Sequence, residues 1–215
     1  MTPGLHATGR MRPGFLLIMA ALFAWLSFGL AFGLAQAAQL KSIKVTETAQ
    51  IPAVQPSWPI PNDPGQVFYL QRSTNKNTII FRARYDKNGN LLRSDPAHVY
   101  WRRYNTTGER KPLKPIERLL AYGVNVKPAG TDGQFYVTLR PLPQMPMLLR
   151  QTGPGKAELI GTIGGRKARI VYAYAAVDES GLLPKVTHLT LHGIVQDSGR
   201  AITEVFSVNG GSVRY

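Results

Sequence analysis

The sequence contains no cysteine. Disulfides, thiol nucleophiles and thiolate metal sites are excluded together, and so is a lipid anchor attached through an acylated cysteine. Acids are also scarce, 12 Asp and Glu against 26 Lys and Arg. Many of the carboxylates fall at turn positions, Asp63, Asp86, Asp95, Asp132, Asp178 and Asp197, and nothing among them proposes a general acid–base pair. Gly-x-Ser-x-Gly, His-Glu-x-x-His and Gly-Lys-Ser/Thr signatures are all missing, which removes the hydrolase, zincin and phosphate-loop templates. Gly161 to Gly165 is glycine-rich but lies between strand patterns and opens no helix, so it cradles no phosphate. Beyond the first 35 residues no stretch is apolar enough to span a bilayer.

The N-terminus supplies the strongest positive signal. Arg10 and Arg12 precede an apolar run from Phe15 to Ala35, and Ala35-Gln36-Ala37 follows as a small-x-small site. Positive flank, apolar core and cleavage site come in the order of an export signal, cut after Ala37. The run is longer than the ~7–15 residues of an ordinary signal core. Uncut, residues 15–35 form an N-terminal membrane anchor with the arginines held inside. Residues 1–37 are therefore read as a signal peptide or anchor. The chain is expected to be exported, either free in the periplasm or anchored to the inner membrane and facing the periplasm. The net charge of +14 then favours anionic surfaces there.

Residues 38–61 carry Pro52, Pro56, Pro59 and Pro61 with little periodicity, which predicts an extended linker. Trp58 is a candidate to dock on the domain. From Asn62 to residue 207 short alternating stretches recur between Gly, Pro and Asn turns. Gln66–Arg72, Thr78–Tyr85, His98–Tyr104, Gln134–Arg140, Met147–Gln151, Lys156–Gly161, Arg166–Val177, Lys185–Val195 and Ala201–Phe206 read as strands. In the long one, Ile170, Tyr172 and Tyr174 share a face opposite Val171, Ala173 and Ala175. Asp86 to Asn90 reads as a plain turn, its glycine misplaced for a calcium loop. Pro115–Tyr122 is the only convincing helix, with Ile116, Leu119 and Leu120 as its apolar stripe. The pattern is all-β, an antiparallel sandwich or barrel with one short helix. Residues 208–215 are a polar tail.

The densest cluster of aromatics and cations is His98-Val99-Tyr100-Trp101-Arg102-Arg103-Tyr104. As a strand it sets His98, Tyr100 and Arg102 on one face and Val99, Trp101 and Arg103 on the other. Together with Tyr69 and Arg72, the residues His98, Tyr100 and Arg102 form the candidate binding set. Its expected partners are an anionic lipid or polysaccharide. Nucleic acid is disfavoured, because one stacked patch is not a base-reading code. His188 and His192 share a strand face, yet four residues of strand separate them by ~13 Å, too far for one metal ion. No metal or cofactor is expected. The reading leans away from catalysis. An envelope enzyme using His98 or Glu117, and a structural module tethered to the inner membrane, stand as the alternatives.

Three ordered pieces, Phe68-Tyr69-Leu70-Gln71-Arg72, His98 to Tyr104, and Glu117-Arg118-Leu119-Leu120-Ala121-Tyr122-Gly123, resemble a family of exported bacterial proteins. That family is known only as a domain of unknown function, number forty-eight thirty-three. Pro184-Lys185-Val186 fits as well. The resemblance covers about Asn62 to Phe206 and implies a single secreted domain with no attached activity. The chain departs from it at Arg102, where the pattern has isoleucine or a similar residue.

Overall fold

The computed structural model describes residues 39–53, 55–181 and 185–209. The signal or anchor segment lies outside them, as do residues 210–215. The described strands are β1 (Gln39–Thr48), β2 (Gln66–Arg72), β3 (Asn75–Ala83), β4 (Ala97–Arg102), β5 (Arg110–Pro112), β6 (Val124–Pro128), β7 (Gln134–Leu139), β8 (Met147–Gly153), β9 (Lys156–Ile163), β10 (Arg166–Asp178), β11 (Lys185–Val195) and β12 (Ala201–Asn209). Among the described residues one helix, α1 (Pro115–Leu120), stands between β5 and β6. The described residues are all-β with one short helix.

All twelve strands belong to one mixed sheet that does not close, so the barrel alternative falls. β10 is its centre. β11 takes one edge of β10 along nearly its whole length, and β12 and then β1 extend that side. The other edge of β10 is shared between two partners. Arg166–Arg169 pair with β9, and Tyr172–Ala175 pair with β2. This second pairing is parallel, where the sequence pattern predicted only antiparallel neighbours. Two wings leave β10 from there, β2-β3-β4-β5 and β9-β8-β7-β6.

The wings bury a common core. Phe68, Ile79, Phe81, Val99 and Trp101 from one join Phe135, Val137, Leu149 and Leu159 from the other, with Ile170, Ala173 and Leu191 between them. The wing tips are clasped at their turns. The Gly155 amide donates to the Gly89 carbonyl at 2.8 Å, and the Gln151 side chain accepts from the Leu91 amide at 3.0 Å. Gly89 sits at φ +80°, and a Cβ there would meet the Gly155 nitrogen at 2.9 Å. Its turn is the plain one expected, with Asp86 Oδ1 accepting from the Asn88 and Asn90 amides.

Three details depart from the sequence reading. A bulge between Ile170 and Tyr172 breaks the alternation of β10. Ile170 faces the core with Ala173 and Ala175, while Tyr172 and Tyr174 face out. The extra residue inverts the side-chain parity, at the point where β10 passes from β9 to β2. Second, the stripe of α1 does not pack: Ile116 is 44% exposed and Leu119 55%. Third, the linker 38–61 is not free. Gln39–Thr48 is β1, paired antiparallel with β12 across a bulge between Ser42 and Lys44. This strand alternates poorly because most of it is exposed, and an edge strand needs no apolar face to hydrogen-bond its neighbour.

Candidate functional site

The candidate residues divide between the two faces of the β2–β4 wing. Alternation along β4 holds as far as Arg102, so His98, Tyr100 and Arg102 point away from the core. Cross-strand register then aligns a single row: Tyr100 opposite Ile80, Ile80 opposite Tyr69, Tyr69 opposite Tyr172, Tyr172 opposite His192. The rings of Tyr69 and Tyr172 stack at 5.1 Å, and those of Tyr172 and His192 at 4.1 Å. This is a second apolar cluster on the outer face, with Tyr174 beside it.

The proline-bearing segment expected to be a linker covers that row. Tyr172 donates its hydroxyl to the Pro52 carbonyl, Gln71 its amide to the Pro59 carbonyl at 3.3 Å, and Gln66 to the Pro61 carbonyl at 3.1 Å. Gln55 donates to the Tyr174 hydroxyl at 3.1 Å, and Trp58 lies tilted against the Tyr174 ring at 6.5 Å. Proline lacks the N–H that would make the segment another strand, so side chains of the sheet reach its carbonyls instead. Tyr69 and Tyr100 are consequently buried. Burial pushes the Tyr69 hydroxyl pKa up to about 12. It also raises Tyr100, with the nearby Asp63 charge adding to the effect.

The segment ends at Asp63, whose carboxylate is buried. Arg102 donates to it through Nε (2.8 Å) and Nη2, and Arg110 through Nε (3.0 Å) and Nη2 (2.6 Å). Burial raises the Asp63 pKa, but the hydrogen bonds and charges of the two arginines outweigh it and hold the carboxyl below its usual range. Arg102 also donates to the Gly108 carbonyl at 2.8 Å, and Arg110 stands 5.4 Å over the Tyr100 ring. Arg102, expected as a ligand-binding cation, thus holds an internal carboxylate. Asp63 and Arg110 escaped the sequence reading because their partnership is non-local. The signal present was an aspartate just after the proline run.

Arg72 lies on the opposite, inner face. Its guanidinium stands 5.0 Å over the Trp101 ring, and it donates to the Tyr122 hydroxyl at 3.3 Å. Arg103 stands 5.3 Å from the same indole, Tyr122 packs edge-on to it at 5.2 Å, and its Nε1 donates to Glu117 at 3.1 Å. Glu117 also accepts the Lys114 amide at 2.8 Å, capping α1. No single pocket therefore gathers Arg72 and Glu117 with His98 and Tyr100.

His98 remains half-buried and tilted against Tyr100 at 5.7 Å. Its pKa is lowered, first by burial and then by the charge of Arg84. Asp95 opposes this, and Arg118 and Arg82 add to it. His192 is 1% exposed, with Nδ1 2.9 Å from the Thr203 hydroxyl, and burial lowers its pKa to about 4. His188, its neighbour along β11, is exposed.

The geometry defines a class: an all-β protein on one open mixed sheet, with an aromatic row on its outer face covered by its own chain. A family model described as a domain of unknown function, DUF4833, matches residues 68–205. The chain belongs to that family. No curated protein and no solved structure matches it. The three stretches that carry the resemblance meet at Trp101: Arg72 from the first, Trp101 itself from the second, Glu117 and Tyr122 from the third.

Proposed function

We propose that this is a non-enzymatic envelope protein, exported by its N-terminal segment, that binds an anionic, amphipathic partner, an anionic lipid surface being the reading favoured. One observation carries this. α1 presents Ile116 and Leu119 exposed, at 44% and 55%, with Lys114 and Arg118 as near neighbours in the sequence, and the charges of Arg118, Arg82 and Arg84 all act on His98. Exposed apolar side chains set among cations suit the headgroup–acyl boundary, where apolar insertion and charge attraction act together. The contact surface of the sequence-based set contracts accordingly. His98 borders this patch, whereas Tyr69 and Tyr100 are covered, Arg102 is paired with Asp63, and Arg72 faces the core.

Flotation with vesicles tests the reading. The chain from Ala38 onward should float with vesicles containing about 30% anionic lipid and not with zwitterionic ones, and binding should weaken as salt rises. Ile116→Glu with Leu119→Glu should lower the partition coefficient at least about tenfold without changing the melting temperature, since neither side chain is in the core. Equal flotation with both vesicle types, or an unaffected double variant, would count against it.

A further inference from the structure

We infer that the outer face formed by β10 and β2–β4 is a groove for an extended, proline-bearing, acidic peptide, and that residues 51–53 and 55–63 occupy it in cis. This goes beyond the lipid reading and does not depend on α1.

The polar contacts have the chemistry of such a groove. Tyr172, Gln71 and Gln66 each place a donor on the carbonyl of a proline, while Tyr69, Tyr172 and Tyr174 supply flat apolar surface. Carbonyl acceptors and ring faces are the recognition elements of a chain that cannot add to a sheet as a strand. At the end of the row two arginines converge on one carboxylate, Asp63, a bidentate arrangement selective for that group. Arg82, opposite His98, continues the positive charge along the same face, complementary to an acidic ligand.

Two further observations separate groove from cover. A half-open depression of about 210 Å³ lies at the junction of segment and sheet, lined by Tyr69, Tyr172 and Val171 and by Pro52, Trp58 and Ile60. The segment therefore leaves part of this face open to solvent. The groove walls Tyr69, Tyr100, Tyr172 and Tyr174 lie within the matched family region, and the covering segment lies wholly before it. The face belongs to the family domain and the segment is its resident ligand.

The test is competition in trans. Two chains starting at Ala38 are made with a loosened cover. One has residues 51–61 replaced by Gly and Ser at unchanged length, and the other carries Asp63→Asn. The probe is a fluorescein-labelled synthetic peptide of residues 49–65, read by anisotropy. The Gly/Ser chain should bind it at least about tenfold more tightly than the unaltered chain, whose own segment competes at high effective concentration. Arg102→Gln in the Gly/Ser chain, or asparagine at the aspartate of the peptide, should each reduce that binding about tenfold or more, the loss expected for a charge-assisted pair. A folded Gly/Ser chain that ignores the peptide would overturn the inference and leave the segment a fixed layer. If the Gly/Ser chain does not fold, the Asp63→Asn chain decides: peptide binding above that of the unaltered chain supports the groove, and none overturns it. Vesicle flotation of the same chains reads the lipid proposal separately.

Discussion

At the scale of single residues, two buried titratable groups behave oppositely because their partners differ. Asp63 is buried against two guanidinium groups and stays ionised. His192 is buried between the Tyr172 ring and Thr203 with no charge to balance a proton, and stays neutral. The consequence for stability has a definite sign. Below the unfolded histidine pKa of about 6.5 the unfolded chain takes up a proton that the folded chain refuses until about pH 4, so stability falls as pH drops through that window and levels off below it. The shift corresponds to a loss on the order of 3 kcal/mol at full protonation. Urea midpoints measured between pH 7 and pH 4.5 should fall, and His192→Gln should flatten that dependence; an unchanged slope in the variant would assign the effect elsewhere. The sequence showed His192 on a strand face. Nothing local revealed that residues distant in the chain would cover it.

At the scale of elements, alternation identified most of the strands because a half-buried strand must alternate. It failed where that condition lapses. β5 has three exposed residues, β1 is an exposed edge, and the bulge in β10 inverts its parity without any composition signal. The helix was legible from Pro115 at its start, Glu117 in its first turn and Gly123 just past its end, although so short a helix was expected to pack its stripe on something. Instead α1 turns Glu117 to the sheet, where its carboxylate accepts from the Lys114 amide and from Trp101 Nε1. The turns offer a sharper check. Gly89 combines φ +80° with a neighbouring backbone at 2.9 Å. Gly89→Ala should therefore cost about 1–3 kcal/mol, seen as a lower melting temperature. The same change at Gly130, also at positive φ but with open space around it, should cost less, only the backbone term. Equal losses would show that the contact between the wing tips contributes nothing.

At the scale of the whole molecule, the two wings depend on each other. Each turns an apolar face inward, and the two inner faces form one core with β10 and β11. The chain from Ala38 onward should therefore unfold in one cooperative step, with far-ultraviolet circular dichroism and tryptophan fluorescence giving the same urea midpoint. Two separated midpoints would mean that the wings are independent units. The sequence alone determined that the protein is all-β, that thiol chemistry is absent, and which three stretches mark its family. Those properties reside in residue types and short-range period. Tertiary structure alone decided that β10 would carry two partners on one edge, that Arg102 would hold Asp63, and that a proline-bearing segment would lie on the aromatic row. Each of these joins residues far apart in the chain, and non-local pairing depends on which surfaces remain uncovered once the strands have assembled, a quantity that no local window of sequence contains.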